Sequence, residues 1–335
     1  MPHDNGLNVP LRSVRVLVTG VGGPAAVSVM KSLSADASVS LIAADMDPWA
    51  AGLYLVPPEA RTLVPAGDDP HFADATLARC AAMGVDVLIP TCDAELRPLG
   101  KAREEFRRAG IELLLAPDLA LDVCLDKLAL IQRCVGHVPV PRTESLDKVA
   151  DPESWTYPVM VKPRRGSGSR GISLVASSEE LMHLDSSPDL LVQEYLPGAE
   201  YSIDVLADVT NHVVASVPRV RERVDSGVSV AGRTVHDAEL ERFGAEVAGA
   251  TGLTYVANVQ FRRDAAGTPA LLEVNPRFPG AMPLTVASGV DMPLMALDSL
   301  RGRPLPEHAD FRETAVVRYL EERFVELDEV QRVAA

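Results

Sequence analysis

Short apolar runs and amphipathic stretches alternate along the first third of the chain. Four apolar runs predict buried strands: VRVLVTG (14–20), VSLIAADMD (39–47), VDVLIPT (85–91) and IELLLA (111–116). Amphipathic stretches between them predict helices: 22–34, 70–83 and 94–109. Strands that alternate with helices favour a parallel sheet with helices on both faces. Residues 1–117 are therefore predicted to form an α/β domain of the Rossmann-like type.

The pattern changes after Pro117, where short apolar runs are separated by Gly-rich turns. These runs predict strands: 157–163, 171–177, 190–196, 201–208 and 212–224. Helices are predicted at 118–135, 236–251 and 283–300. Two further runs, 254–264 and 268–276, are joined by AAG, which suits the turn of a hairpin. The remainder of the chain is therefore predicted to be α+β.

Composition narrows the function classes. The chain has 335 residues and is 47% hydrophobic, which is typical of a globular protein with a large core. Its net charge of −15 and its 4% aromatic content argue against general binding to nucleic acids or to anionic membranes. A local basic pocket remains compatible with these totals.

Other features of the sequence predict a cytoplasmic location. No apolar run reaches the roughly 18 residues that a membrane span needs. The first residues, MPHDNGLNVPLRS, lack the basic-then-apolar order of a signal peptide. The four cysteines show no CxxC spacing, which favours reduced core residues over a metal site or a disulfide framework.

A first glycine motif follows the first strand. Gly20, Gly22 and Gly23 open a helix, and Asp45 ends the next strand, where dinucleotide-binding folds carry a ribose-binding acid. The third glycine of GxGxxG is replaced by Ala25. A helix N-terminus also binds carboxylates, so an NAD site and a substrate site around Gly22 both remain open.

A second glycine motif, RRGSGSRGI (164–172), is followed by an apolar β-branched run and not by a helix. Strand, glycine loop and strand predict a flap whose backbone N–H groups cover phosphates. The loop carries Ser167, Gly168, Ser169 and Gly171, and the hydroxyl groups add donors. Lys162 lies in the apolar strand before it and needs a nearby anion. The simpler interpretation is a flexible hairpin with a lysine that extends to solvent.

Two further stretches carry polar groups at strand ends. In LVQEYLPGAE (191–200), the backbone after the strand suits the edge of an adenine, and Glu200 suits ribose hydroxyls. In LLEVNPRFPG (271–280), Glu273 and Asn275 are two residues apart and so share one face of a strand, with Leu272 and Val274 on the other. Paired oxygen ligands suit Mg²⁺. The alternative is a surface strand with one wet face.

Candidate substrate-binding groups lie elsewhere. Arg219 and Arg221 alternate with apolar residues on one face of a strand, and such guanidinium groups recognise carboxylates or phosphates. Arg223 continues this row, with a solvated strand face as the alternative. A turn follows at Ser226 and Gly227.

Two acidic residues follow a strand of the first domain. In TCDAEL (91–96), Asp93 and Glu95 lie where open α/β sheets bind ligands and suit a substrate ammonium group. Helix capping by Asp93 is the favoured alternative for that residue.

The ordered set of motifs resembles the ATP-grasp superfamily. The set runs from Lys127 through VMVKP with its glycine flap, QEYLPG-E and NVQF to LLEVNPR, and covers about 118–300. The nearest likeness is to the ATP-binding modules of carbamoyl-phosphate synthetase large chains and related carboxylate–amine ligases. The resemblance implies a pre-ATP-grasp domain at 1–117, a lid subdomain at 118–195 and a C-terminal subdomain with the metal site at 196–335.

The resemblance also implies roles for individual residues. Lys127 and Lys162 would bind the phosphates of ATP, and Glu194, Tyr195 and Leu196 would hold adenine, with Glu200 on the ribose. Glu273 and Asn275 would bind Mg²⁺ or Mn²⁺, and Arg277, with Arg221, would stabilise negative charge in catalysis. Many members carry a carboxylate where this chain has Gln260. The number of metal ions therefore stays open.

These expectations combine into a ligase that joins a small carboxylate to an amine, such as an amino acid, through an acyl phosphate. The resemblance further implies a homodimer. Two other classes remain: a nicotinamide-dependent oxidoreductase that uses the first glycine loop, and a non-catalytic regulatory protein that binds ATP.

Overall fold

The computed structural model describes residues 13–166, 168, 170–225 and 228–334. The described part of the first domain has five strands: β1 (Val14–Thr19), β2 (Val39–Asp45), β3 (Arg61–Leu63), β4 (Val87–Ile89) and β5 (Glu112–Leu113). Its helices are α1 (Pro24–Leu33), α2 (Phe72–Ala82), α3 (Asp93–Lys101) and α4 (Arg103–Arg108). The strands pair in parallel in the order β3-β2-β1-β4-β5. The predicted parallel sheet is confirmed.

Both faces of the central strand β1 are buried, which explains its continuous apolar sequence. Leu17 packs in one core cluster, whereas Val16 and Val18 pack in another on the opposite face. The strand order reverses between β1 and β4. Ligands of open α/β sheets bind at such a switch point, beyond the carboxyl ends of the strands. Gly20 follows β1 there, and Thr91 lies just beyond β4.

The helix predicted over 118–135 is divided in two. α5 (Asp118–Cys124) ends before Asp126, which is the N-cap of α6 (Lys127–Cys134) and accepts the backbone N–H groups of Leu128 and Ala129. The break makes Lys127 the first residue of a helix. α5 and α6 pack in the large core shared with the C-terminal sheet.

A small antiparallel sheet with its own core lies within the range for which the resemblance implies a lid, and we call it the lid. Its elements are β6 (Thr143–Ser145), β7 (Val159–Pro163), β8 (Ser173–Val175), α7 (Ser178–Met182) and β9 (Leu190–Glu194). The strand order is β6-β9-β7-β8. Trp155 and six aliphatic side chains, among them Val159 and Val192, form a separate apolar cluster beneath this sheet. A unit with its own core can move relative to the larger body.

A larger antiparallel sheet forms the C-terminal part. Its strands are β10 (Glu200–Ala207), β11 (Val213–Asp225), β12 (Val228–Thr234), β13 (Tyr255–Arg263), β14 (Pro269–Asn275) and β15 (Ala315–Val317). They lie in the order β14-β13-β10-β11-β12-β15. The helices are α8 (Ala238–Thr251), α9 (Met282–Ala287), α10 (Met292–Leu300) and α11 (Leu327–Ala334). The predicted hairpin is confirmed as β13 and β14.

Sequence patterns missed several short elements and breaks. The strands β3, β6 and β15 have three residues each, too few for a periodic signal. The stretch 283–300 divides at Gly289, which has φ of 118°, before Asp291 caps α10. The stretch 94–109 divides at Ala102. Within the described ranges, no helix is both long and apolar enough to span a membrane.

Candidate active site

A cleft of about 880 Å³ lies where the lid, the C-terminal sheet and the first glycine loop meet, and we call it the main cleft. Its lining includes predicted residues from separate motifs: Asp93, Lys127, Lys162, Gly168, Glu194, Tyr195, Leu196, Glu200, Arg221, Gln260, Glu273, Asn275 and Arg277. These residues are spread over almost 200 positions of the chain. Folding therefore brings the phosphate, base, metal and charge-stabilising candidates into one cavity.

Apolar side chains form part of the wall of the main cleft. Met160 and Ile172 come from the lid, and Leu196 and Leu272 come from the C-terminal part. Such walls suit a flat aromatic ring. The sequence analysis did not single out Met160. Met160 lies two residues before Lys162 on β7, so the two side chains share one strand face. Strand alternation could therefore have identified Met160 from the sequence.

The expectation that Leu272 lies on the face opposite Glu273 is wrong. Gln260 of β13 pairs with Glu273, whereas the next residue, Phe261, pairs with Leu271. The extra residue in β14 is a bulge, which resets the alternation of side chains. Leu272 consequently lines the cleft together with Glu273, and Leu271 is fully buried in the core.

Lys162 enters the main cleft from β7 and is only 6% exposed. Its Nζ donates to Oε1 of Gln193 at 2.7 Å, and Nε2 of Gln193 donates to Oγ1 of Thr143 at 2.8 Å. Burial lowers the pKa of Lys162 to about 8, against the nearby charge of Glu273, which raises it. One amide oxygen leaves most of the ammonium charge uncompensated. The site therefore favours an anion in the cleft next to this lysine.

The lowered pKa of Lys162 predicts that nucleotide affinity falls with rising pH. From one unit below to one unit above this pKa, the protonated fraction of Lys162 drops from about nine-tenths to about one-tenth. Because phosphates bind the protonated form, the Kd for ATP measured in EDTA should rise about tenfold over this interval. Calorimetry on wild type and on Lys162→Met tests this. The variant should bind more weakly with a flatter pH profile, and equal slopes for both proteins would contradict the assignment.

Lys127 links the glycine flap to the β13–β14 hairpin. Its Nζ donates to the carbonyl oxygen of Gly166 at 2.7 Å and lies 3.7 Å from Oε2 of Glu273. The flap residue Gly168 lines the cleft and has φ of 72°, which favours glycine. Gly171 lies further along the flap and is not part of the lining. The phosphate role of these flap residues stays a prediction.

Four of the predicted residues are outside the described part of the chain: Ser167, Ser169, Ser226 and Gly227. Their predicted roles in flap and substrate binding are therefore carried forward as predictions.

Oxygen-bearing side chains gather on the β13–β14 hairpin. Gln260 and Glu273 are cross-strand partners, and Nδ2 of Asn275 lies 3.4 Å from Oε1 of Glu273. Within the described residues, no group of three or more His, Cys, Asp or Glu side chains is placed to hold a metal. A metal here would have Glu273 as its charged protein ligand, with amide oxygens beside it. This hard oxygen set fits Mg²⁺ that also binds phosphate oxygens and water.

Arg277 links the C-terminal sheet to the first domain across the main cleft. Its Nε and one terminal nitrogen donate to the two carboxylate oxygens of Asp93, each at 2.8 Å. Burial is the largest single effect and disfavours its charge, but the charge and hydrogen bonds of Asp93, together with the charge of Glu273, raise the pKa of Arg277. The favoured interpretation of Asp93 as a helix cap is wrong, because Cys92 is the N-cap of α3. Asp93 instead holds the arginine against the cleft.

The expectation that Glu95 binds a substrate ammonium group is not supported. Oε2 of Glu95 accepts from Oγ1 of Thr19 at 2.6 Å and from the backbone N–H groups of Thr91 and Cys92 at 3.2 Å. Burial raises the pKa of Glu95, and these hydrogen bonds oppose the rise. The carboxylate is not part of the cleft lining. It stabilises the start of α3 in a capping-box arrangement.

The N–H groups of Gly22 and Gly23 in the first glycine loop already have hydrogen-bond partners within the first domain. The N–H of Gly22 donates to Oδ2 of Asp45 at 2.7 Å, and Oδ1 of Asp45 accepts the N–H of Asp47 at 3.0 Å. The N–H of Gly23 donates to the carbonyl of Gly20 at 3.0 Å. A dinucleotide would need these N–H groups for pyrophosphate and Asp45 for ribose. Gly22 itself is absent from the cleft lining, so its predicted substrate contact is not supported.

Arg221 and Glu200 form an ion pair in the wall of the main cleft. The resemblance implied a charge-stabilising role for the arginine and a ribose contact for the glutamate. Because both line the same cavity, each can reach a ligand, and each orients the other. Arg223 is exposed and lies after an irregularity in the pairing of β11 with β12. The row of three arginines on one face is thereby broken.

The expectation that Arg219 binds substrate is wrong. Its Nε and one terminal nitrogen donate to the carboxylate oxygens of Asp204 at 2.8 and 2.7 Å, and the arginine is 2% exposed. Asn258 and Thr285 also donate to Asp204, at 2.8 and 2.5 Å. This buried network fixes β10, β11 and β13 beneath α9. Strand alternation places Arg219 and Arg221 on the same face of β11. They differ in burial, because Arg219 lies in the core whereas Arg221 lines the cleft.

Replacing Arg219 by leucine should therefore affect stability and not substrate recognition. Removing one partner of a buried ion pair leaves Asp204 uncompensated and costs about 3–5 kcal/mol. Urea unfolding measures this free energy. The matched control, Arg233→Leu, breaks an exposed pair with Glu222 and should cost less than about 1 kcal/mol. A stable Arg219→Leu protein with a raised KM for carboxylate would restore the substrate role.

Comparison with known proteins agrees with this geometry. Residues 186–323 match the model of a family described as "ATP-grasp in the biosynthetic pathway with Ter operon", and residues 16–114 match that of "PylC-like, N-terminal domain". The first match contains β9 and the β13–β14 hairpin. Lys127, Lys162 and the flap lie between the two matches.

Individual relatives cover parts of the chain. A carbamoyl phosphate synthase large chain from Thermomicrobium roseum is 29% identical over 223 residues, which are 60% of this chain and 20% of that protein. A D-alanine–D-alanine ligase from Geobacter sulfurreducens is 32% identical over 192 residues, which are 52% of this chain and 60% of that protein. The chain thus spans between a fifth and three-fifths of the length of these two relatives.

A solved structure supports the fold alone. Biotin carboxylase from Campylobacter jejuni, determined as a β-γ-ATP complex, superimposes with a TM-score of 0.72 at 18% identity. The superposition covers 87% of this chain and 72% of that one. The arrangement of an α/β domain, a lid and a larger antiparallel sheet is therefore shared with that protein.

Proposed function

We propose that this chain, a member of the ATP-grasp superfamily, is an ATP-dependent ligase that joins a carboxylate to an amine through an acyl phosphate. The observation that carries the proposal is the main cleft. One cavity holds Lys127 and Lys162, the oxygen ligands around Glu273, and Arg277. Phosphoryl transfer needs such positioned charge and little covalent participation by the protein.

ATP binds between the lid and the β13–β14 hairpin. Adenine packs between the lid side chains Met160 and Ile172 and the bulged Leu272, with its edge along 194–196. The ribose lies at Glu200, and the phosphates lie against Lys162 and Lys127 beneath the flap. Glu273, with Asn275 and Gln260, would hold Mg²⁺, which would supply positive charge to the phosphate oxygens.

The reaction has two steps. A carboxylate oxygen of the substrate attacks the γ-phosphorus, and the bond to the β–γ bridging oxygen breaks, which releases ADP. Arg277 and Lys162 stabilise the charge that develops on the transferred phosphoryl group. An amine nitrogen then attacks the acyl carbon, and phosphate leaves with the acyl C–O bonding electrons. Closure of the flap and lid excludes water, which would otherwise hydrolyse the acyl phosphate.

The substrates are a small carboxylate and an amine, with amino acids favoured. D-alanine–D-alanine ligase, a relative over 52% of this chain, is named for such a pair. Arg221 lies in the wall of the main cleft and is suited to a substrate carboxylate. We place the enzyme in the cytoplasm, where ATP and free amino acids are available, and expect a homodimer.

The two alternative classes fit the site less well. For an oxidoreductase, the N–H groups of Gly22 and Gly23 and both oxygens of Asp45 would have to leave their present partners. For a purely regulatory ATP-binding protein, Glu273 and Arg277 would have no task, yet both line the cleft. A half-buried arginine that Asp93 orients through two hydrogen bonds favours a catalytic arrangement.

ADP release measured with Mg²⁺-ATP tests the proposal. Twenty amino acids and small carboxylates are supplied singly and in pairs, and hydroxylamine serves as a substitute amine that traps acyl phosphates as hydroxamates. We expect release that requires a carboxylate together with a nucleophile. Thermal stabilisation by ATP without release from any pair would favour a regulatory protein. A thermal shift with NAD but not with ATP would favour the oxidoreductase.

A further inference from the structure

A second cavity of about 790 Å³ adjoins the main cleft, and we call it the side cleft. The two cavities share five residues: Asp93, Ala94, Lys127, Glu273 and Asn275. From this common wall, the side cleft extends between α2 and α3 of the first domain and the flap residues Arg165 and Gly166. The place where the phosphoryl group is transferred is therefore reachable from two directions.

Most cations of the side cleft are already engaged. Arg97 pairs with Asp122 at 2.5 Å, and Arg165 pairs with Asp126 at 3.0 Å. Lys127 lies 3.7 Å from Glu273 in the common wall. Arg97 and Lys127 are thus largely neutralised by carboxylates, whereas Arg165 shares Asp126 with Arg164 and keeps part of its charge.

The acidic side chains of the side cleft outnumber its remaining cations, which are Lys101 and the partly compensated Arg165. The carboxylates at its rim are Asp68, Asp69, Asp74 and Glu105, all of them exposed. Lys101 faces them without an ion pair among the described residues. Such a rim attracts ammonium groups and repels ATP and carboxylates that carry no ammonium group. The chemistry of the rim therefore favours ligands that present an ammonium group.

We infer that the side cleft binds the amine substrate as an ammonium ion and delivers it to the common wall, whereas ATP and the carboxylate occupy the main cleft. The inference rests on the proposed function. The ammonium ion loses one proton to water in the side cleft before the flap closes. The amine then attacks the acyl carbon, the bond from this carbon to the phosphate oxygen breaks, and the second proton leaves with phosphate. Asp93, which lines both cavities and accepts from Arg277, marks the inner end of this route.

A bulky substitution that fills the side cleft tests whether the amine passes through it. Ala73 of α2 is half-buried in the wall of the side cleft, whereas Ala78 of the same helix is exposed and outside it. Amide formation from the panel amino acids is compared with hydroxamate formation, because hydroxylamine is small and largely uncharged and passes through either cavity. Ala73→Trp should raise the KM for the amine, and lower the ratio of amide to hydroxamate, about tenfold or more. Ala78→Trp should change neither quantity.

A charge variant gives an independent measurement on an exposed surface that tolerates substitution. Asp68→Asn combined with Asp74→Asn should raise the KM for the amine several-fold at low salt. The effect should vanish near 1 M salt, where the screening length is about 3 Å.

The outcomes separate the two hypotheses. Hydroxamate formation by wild type with an unchanged amine KM in Ala73→Trp would overturn the route but leave the ligase intact. If Ala73→Trp raises the KM for the carboxylate and not for the amine, the assignment of the side cleft to the amine is overturned. No ATP-dependent hydroxamate from wild type with any carboxylate would overturn the proposed function and the inference with it.

Discussion

Replacing Glu273 by glutamine is expected to lower ATP-dependent ADP release by at least about a hundredfold. Glutamine keeps the volume and one carbonyl oxygen but removes the charge. Asn275 and Gln260, the neighbouring oxygen ligands, are neutral, so no carboxylate remains in the set. Lys127 would also lose its anionic neighbour at 3.7 Å. A hard divalent cation is then held by dipoles alone, and the phosphate charge is less well neutralised.

The measurement separates metal binding from folding and nucleotide binding. ADP release is titrated with Mg²⁺ and with Mn²⁺, and ATP binding is measured in EDTA. The variant should bind metal-free ATP within a few-fold of wild type. The matched control is Glu104→Gln, an exposed glutamate on α4 that pairs with Arg107 and Arg108, and its release should equal that of wild type. Near-normal release by Glu273→Gln would remove Glu273 from the proposed metal site.

Replacing Arg277 by alanine should also reduce kcat by at least about a hundredfold, with a smaller change in the Kd for ATP. The half-buried guanidinium lies between the C-terminal sheet and the first domain, where the two carboxylate oxygens of Asp93 accept from its Nε and one terminal nitrogen. It is thus preorganised, and it needs no reorganisation when charge develops on the phosphoryl group. Alanine removes this charge and leaves Asp93 without its partner.

Two further substitutions distinguish catalysis from simple positioning of Asp93. Arg277→Lys keeps the charge but cannot bind both carboxylate oxygens in a fork, so it should recover only a small part of kcat. Asp93→Asn should cost less than Arg277→Ala, because the arginine remains. Arg107→Ala, an exposed arginine on α4, serves as the unaffected control. A kcat for Arg277→Ala within a few-fold of wild type would exclude the arginine from phosphoryl transfer.

Much of the fold follows from the hydrophobic pattern. The runs at 14–20, 39–47 and 85–91 form β1, β2 and β4, because continuous apolar strands require burial on both faces. The hairpin at 254–264 and 268–276 forms as expected. The division of 118–135 did not follow from the pattern. There Asp126 caps a new helix and also binds Arg164 and Arg165, two residues about forty positions away.

The placement of candidate residues followed from the sequence where their chemistry is local and not where it depends on a distant partner. Glu273 and Asn275 were singled out from strand alternation and Glu194 from the resemblance, and all three line the main cleft. Arg219 and Glu95 carry the same kinds of groups at similar places in their motifs. They are instead buried in networks that the neighbouring sequence does not reveal.

The amino-acid sequence by itself determined the order of the elements and the chemical groups that they carry, because periodicity and turn residues act over a few positions. Only the tertiary structure decided which of these groups face the cleft. The pairing of Arg277 with Asp93 spans 184 positions, the bulge at Leu272 changes one residue's face, and the side cleft forms between α2, α3 and the flap. Each outcome depends on packing between elements that are distant in the chain. Strand alternation fixes the face of a side chain, but the element packed against that face decides its partner and its exposure.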